Sequence, residues 1–226
     1  MPPRTTKPLS YLITDGATTL TTTPSSEEFT RLLALVHAAV CARVSLIQLR
    51  EKLLRPRVLY ELTARAAELT GGTQTRLLVN DRADIARAAG ADGVHLTAQS
   101  LSAAVVRRAF GETFLVGVST HSLAEAIAAR ADGADFVVFG PIFNTPSKSA
   151  YGPPLGLAGL RATAHALAPF PLLALGGVTP ENIPATLGAG ACGVAAIRLF
   201  GEAEDLKEVV SLIESAGGIQ AAQRDL

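Results

Sequence analysis

FVVFGPIFNTPSKSAYGPPLG, residues 136–156, opens with four apolar residues, Phe136–Phe139, and stops abruptly at Gly140-Pro141. Four residues are too few for a helix, and aromatic and β-branched side chains suit a strand covered on both faces. A polar loop with Thr145, Ser147 and Lys148 follows, closed by Gly152, Pro153, Pro154 and Gly156. Helical spacing of apolar residues then runs over Leu157–Leu167. The unit is strand, polar loop, helix. A solvated loop has this composition, but hydroxyls and an ammonium just past a strand's C-terminal end also suit a phosphate.

The same unit recurs on both sides. Strands are expected over Leu9–Thr14, Val44–Leu49, Leu77–Val79, Gly93–Leu96 and Phe114–Val118 upstream, and over Leu172–Leu175 and Val194–Ile197 downstream. Helices are expected between them at Phe29–Val40, Arg57–Leu69, Ala83–Ala89, Ser102–Phe110, Leu123–Ala131 and Thr179–Leu187, the last with Pro180 near its first turn, and a final helix over Asp205–Ser215. Eight βα units without a dividing linker predict a parallel sheet closed into a (β/α)8 TIM barrel. It is a single α/β domain over residues 1–226 whose ends, about 1–8 and 217–226, are expected to be flexible. A doubly wound open sheet is the alternative.

Composition narrows the function. Hydrophobic residues make up 48%, enough for a sizeable core, and 20 Lys+Arg balance 20 Asp+Glu. With no basic field and only 5% aromatics, no nucleic-acid partner is expected. No 18-residue apolar run exists and MPPRTTKPLS lacks a signal peptide's apolar core, so no membrane partner is expected and a cytoplasmic enzyme or binding domain fits best. Cys41 and Cys192 lie far apart among small apolar residues, which predicts two buried thiols.

A barrel of this kind builds its site from the loops after its strands. Gathered there are Gln48, Arg50 and Lys52; Asn80, Asp81 and Arg82; His95 and Thr97; Ser119, Thr120 and His121; Thr145, Ser147 and Lys148; Gly176-Gly177; and Arg198. Alternation along an extended strand end lets Gln48, Arg50 and Lys52 face one way. Asp81 could instead cap the helix that follows. His95 is read as a histidine bonded to its neighbours, and Gly176-Gly177 as a close-approach phosphate loop. Together the cations, the carboxylate and the diglycine point to a site for phosphorylated small molecules, with Mg²⁺ as the metal.

With these residues in place the chain resembles the thiamine phosphate synthase/TenI family. The motifs are QLREK (48–52), VNDRADIA (79–86), ADGVHL (91–96), GVSTHS (117–122), GPIFNTPSK (140–148) and ALGGVTPEN (174–182). The resemblance implies a transferase of thiamine biosynthesis, condensing 4-amino-2-methyl-5-(diphosphooxymethyl)pyrimidine with a thiazole (carboxy)phosphate to give thiamine phosphate and diphosphate. It implies that Gln48–Lys52, Asn80, Ser119 and Lys148 hold the pyrimidine diphosphate, with Arg50, Lys52 and Lys148 stabilising the leaving group, and that Asp81 binds Mg²⁺. The resemblance also implies that Thr145, Ser147, Gly177, Ile197 and Arg198 take the thiazole phosphate, with Gly176 as the other residue of the diglycine phosphate loop. Ser100 stands where the synthases have a second metal carboxylate, and Arg198 where a small hydroxyl is usual. The alternatives are a TenI-like thiazole tautomerase, a metal-independent isomerase using His121, and a non-catalytic phosphate-binding barrel. Oligomeric state is open, a homo-oligomer included.

Overall fold

Eight short strands pair in chain order, all parallel, and close on themselves. They are β1 (Leu9–Ile13), β2 (Leu46–Leu49), β3 (Arg76–Asn80), β4 (Gly93–Leu96), β5 (Leu115–Thr120), β6 (Phe136–Phe139), β7 (Leu172–Leu175) and β8 (Gly193–Ala196). β1 pairs with both β2 and β8, which makes the sheet a closed barrel and not an open one. The computed structural model describes residues 7–145 and 153–224, with side chains through Gly217.

Helices wrap the barrel: α1 (Glu27–Cys41), α2 (Pro56–Thr70), α3 (Ala83–Ala88), α4 (Ala103–Phe110), α5 (Leu123–Ala131), α6 (Gly156–Leu167), α7 (Ile183–Gly188), α8 (Arg198–Gly201) and α9 (Leu206–Arg224). Strand alternation splits the apolar residues into two layers. One face of each strand, with Leu12, Ile47, Val79, Val94, Val116, Val137, Leu172 and Val194, packs against the helices. The other face fills the barrel with Tyr11, Leu46, Leu78, Leu115, Phe136, Leu173 and Ala195. Both faces are buried, which is why the strands read as continuous apolar runs.

Several expectations are corrected. Pro180 does not begin a helix. Thr179–Asn182 is a turn in which the Asn182 Oδ1 accepts the Thr179 N–H at 2.9 Å, and Pro184 occupies the first turn of α7. The four-residue α8 was not expected, since one turn shows no periodicity. α9 continues beyond Ser215 to Arg224. β5 runs on through Ser119 and Thr120. Cys41, at the end of α1, is exposed, whereas Cys192 is partly covered and burial raises its thiol to about 11.

Candidate active site

The two halves of the barrel end differently. Following the alternation set by Leu46, Leu78 and Leu115, the inward residues near the C-terminal ends of β2–β5 are Gln48, Asn80, His95 and Ser119. On β6, β7, β8 and β1 the corresponding residues are Val138, Leu175, Ile197 and Ile13. One wall is polar and the other apolar. A polar side chain in such a place needs a partner or it costs stability.

The polar wall satisfies itself by two chains. In the first, Gln48 Nε2 donates to Asn80 Oδ1 at 3.0 Å, and Asn80 Nδ2 donates to Asp81 Oδ2 at 2.8 Å. The other Asp81 oxygen accepts from the Ser100 hydroxyl and, at 3.5 Å, from Thr97 Oγ1. In the second, His95 lies between Tyr11 Oη (3.1 Å from Nδ1) and Ser119 Oγ (2.8 Å from Nε2). Burial lowers the His95 pKa to about 4, against the opposing pull of the Asp81 charge, so the ring is neutral at pH 7.

Asp81 is not a helix cap. The residue capping α3 is Arg82, and Asp81 turns its carboxylate to the β4–α4 loop. Its backbone is left-handed, φ 60°, and its N–H donates to His95 O at 2.9 Å. Non-glycine residues adopt this conformation seldom, and Asp is among those that tolerate it.

Strand alternation carries Gln48 alone of the three, because β2 stops at Leu49; Arg50 follows just beyond the strand and Lys52 lies exposed in the next turn. Between them Glu51, which sequence reasoning passed over, is buried. Its carboxylate accepts from Thr14 Oγ1 at 2.5 Å, Thr18 Oγ1 at 2.7 Å, and the N–H groups of Gly16 and Thr18, each at 3.3 Å. The β1–α1 loop is thereby tied under Arg50, whose own N–H donates to Thr14 Oγ1 at 2.8 Å. Gly16 approaches so closely that a Cβ there would stand 3.2 Å from Arg50 O and 3.7 Å from a guanidinium nitrogen. Among the described residues that guanidinium has no hydrogen-bond partner. Tyr11 was also missed, although an aromatic hydroxyl on an inward strand position is a signal.

Across the mouth, Gly176 (φ 96°) and Gly177 (φ 65°) lie against the β6–α6 loop. A Cβ at Gly177 would be 2.7 Å from Asn144 O and from Phe143 Cβ, so both the backbone conformation and the space demand glycine. Arg198, the first residue of α8, reaches Thr145 Oγ1 at 3.4 Å and so links strand eight to that loop. His121 donates from Nδ1 to Gly140 O at 2.5 Å, since a carbonyl can only accept. Ser147 and Lys148 lie outside the described residues.

A model of the family described as thiamine monophosphate synthase matches residues 11–200. The chain belongs to that family. Its similarity to the putative thiamine-phosphate synthase of Geobacter sulfurreducens is 51% identity over 166 residues, 74% of this chain and 78% of the relative. To the thiamine-phosphate synthase of Moorella thermoacetica it is 41% identical over 194 residues, 86% of each chain. The solved thiamine phosphate pyrophosphorylase from Pyrococcus furiosus superposes with a TM-score of 0.77 at 29% identity, over 93% of this chain and 95% of that one. Within the thiamine monophosphate synthase family fold, the polar wall on β2–β5 and the diglycine loop face the same mouth. No cluster of three His, Cys, Asp or Glu side chains exists among the described residues. The Asp81 carboxylate has the hydroxyls of Thr97 and Ser100 beside it.

Proposed function

We propose that the chain is a thiamine-phosphate synthase, joining 4-amino-2-methyl-5-(diphosphooxymethyl)pyrimidine to the nitrogen of a thiazole phosphate. The observation that carries the reading is the donor chain from Gln48 through Asn80 to Asp81, lining the polar half of the mouth in a chain of the thiamine monophosphate synthase family. Because the Gln48 amide nitrogen is turned to Asn80, its oxygen is oriented to accept, and its second N–H to donate. That pair complements an aminopyrimidine edge.

In the reaction the bond between the methylene carbon and diphosphate breaks, and its electrons leave with diphosphate. The electron-rich ring carries the positive charge until the thiazole nitrogen donates its lone pair to the methylene. Negative charge grows on the leaving group, where Arg50, Lys52 and Lys148 supply the compensating cations. Asp81, Thr97 and Ser100 would hold Mg²⁺, which would supply positive charge to offset that of the diphosphate; one carboxylate with substrate oxygens and water is an ordinary Mg²⁺ ligand set. Thr145, Ser147, Gly176, Gly177, Ile197 and Arg198 receive the thiazole phosphate, the apolar wall at Ile13, Val138 and Leu175 covering its ring. Charged phosphorylated substrates do not cross a bilayer unaided, so the reading carries a cytoplasmic location with it. No helix among the described residues is long and apolar enough to cross a membrane.

The test is a coupling assay with both substrates, with and without Mg²⁺. Thiamine phosphate and diphosphate should form in equal amounts; tight binding of the pyrimidine diphosphate without turnover would overturn the assignment. A second reading, thiazole tautomerase, is favoured by one observation, the His121 imidazole held in the loop after β5 by its bond to Gly140 O. Metal-independent isomerisation of the carboxythiazole phosphate, lost in His121→Asn, would establish it in place of coupling.

A further inference from the structure

The Tyr11–His95–Ser119 chain crosses the barrel interior from β1 to β5, and neither of its inner members is in reach of solvent: Tyr11 is 0% and His95 2% exposed. The rings of Tyr11, His95 and Phe136 pack against one another with centroids 5.7 to 6.1 Å apart. Gly117 makes the room. A Cβ there would stand 2.3 Å from the Phe136 ring and 2.9 Å from His95 Nδ1. The imidazole is therefore gripped on its faces and bonded at both nitrogens.

Distances alone allow the bonds to run either way, but the buried end of the chain decides. Tyr11 has one hydroxyl proton and, among the described residues, no hydrogen-bond partner besides His95. With the imidazole proton on Nδ1, the ring would donate to Tyr11, and the phenolic proton would be stranded in the core at a cost. With the proton on Nε2, Tyr11 donates to Nδ1 and Nε2–H donates to Ser119 Oγ. No buried proton is then left over. Ser119 is only half-buried, and one of its lone pairs is taken, so its own proton is directed toward the mouth.

We propose that Tyr11 and His95 are positioning residues whose one-way hydrogen-bond chain makes Ser119 a donor to an acceptor atom of the bound pyrimidine substrate. The identity of that substrate rests on the synthase reading; the direction of the chain does not.

Two measurements on the full chain separate them. Long-range ¹H–¹⁵N correlation of the labelled protein, with His95 assigned among the four histidines by its absence in His95→Gln, should show the proton on Nε2 alone. Tyr11→Phe should show a mixture of both tautomers. A proton on Nδ1 in the unaltered protein, or an unchanged single tautomer in Tyr11→Phe, overturns the proposal. In the second measurement, His95→Gln can place an amide N–H where Nε2 stands, so KM for the pyrimidine diphosphate should stay within about threefold. His95→Leu leaves Ser119 without its anchor and should raise that KM about tenfold with little change in kcat. Equal KM values in the Gln and Leu variants would count against the positioning role. If His95→Leu fails to fold, the tautomer still decides. Absence of coupling in the unaltered protein would overturn the synthase reading while leaving the tautomer result standing.

Discussion

Asp81 ends the first of the two hydrogen-bond chains, receiving side-chain donors from Asn80, Thr97 and Ser100 on an uncommon left-handed backbone. Such a conformation persists only where surrounding bonds hold it, and it places the carboxylate over the mouth instead of on the helix that follows. The hydroxyl of Ser100 occupies one Asp81 oxygen, so position 100 faces the place where a metal would sit. Ser100→Asp puts two carboxylates together; the variant should melt at lower temperature without Mg²⁺ and recover with it, and should need less Mg²⁺ for half-maximal coupling. A melting temperature indifferent to Mg²⁺ would show that the two side chains do not share a cation. Arg50 is different in kind, a guanidinium with no described partner, held by its backbone above a tied loop. Arg50→Ala should lower turnover on the order of 10²-fold, and Arg50→Lys should recover little of it, because an ammonium cannot present two parallel donors. Steady-state coupling rates decide; near-normal turnover in Arg50→Ala would remove the diphosphate from this part of the mouth.

Among the elements, the β1–α1 loop depends on a residue from another strand. Glu51 follows β2, and its carboxylate collects four donors from Thr14, Gly16 and Thr18. Glu51→Ala leaves those donors buried or half-buried without acceptors, and should cost about 2–4 kcal/mol in urea unfolding. Because the same loop touches Arg50, KM for the diphosphate substrate should rise as well; a stability loss with unchanged KM would confine Glu51 to folding. Element ends were legible where local chemistry sets them. Phe136–Phe139 and Leu172–Leu175 are strands bounded by glycine or proline, and α5 ends before Gly133 with φ 87°. They were illegible where side-chain bonds within a loop compete with helical spacing: Pro180 lies in a turn because Asn182 bonds back to Thr179 and to Gly177 O, the latter at 2.9 Å.

At the scale of the whole molecule, His95 couples stability to pH. Its pKa falls from the ordinary 6.5 to about 4 on folding, so between those values the unfolded chain binds a proton that the native chain does not. Stability should fall by roughly 3 kcal/mol as pH drops from about 6.5 to about 4, and this contribution should be constant above that window. Carboxylates titrate nearby, so the quantity to measure is the difference in urea unfolding between the native chain and His95→Gln across pH 4–7; parallel curves would mean the buried ring does not titrate as argued. The barrel itself was legible in the sequence, because eight apolar runs separated by helical spacing leave few ways to bury both faces of every strand. So was the membership of Gln48, Asn80, Asp81 and Ser119 in one set of strand-end residues, since polar side chains on inward positions are costly without a purpose. What only the tertiary structure decided is which of these residues touch. Tyr11 and His95 are 84 positions apart and Thr14 and Glu51 are 37 apart. Whether such pairs meet depends on barrel closure and strand register, which set distances that no local pattern encodes.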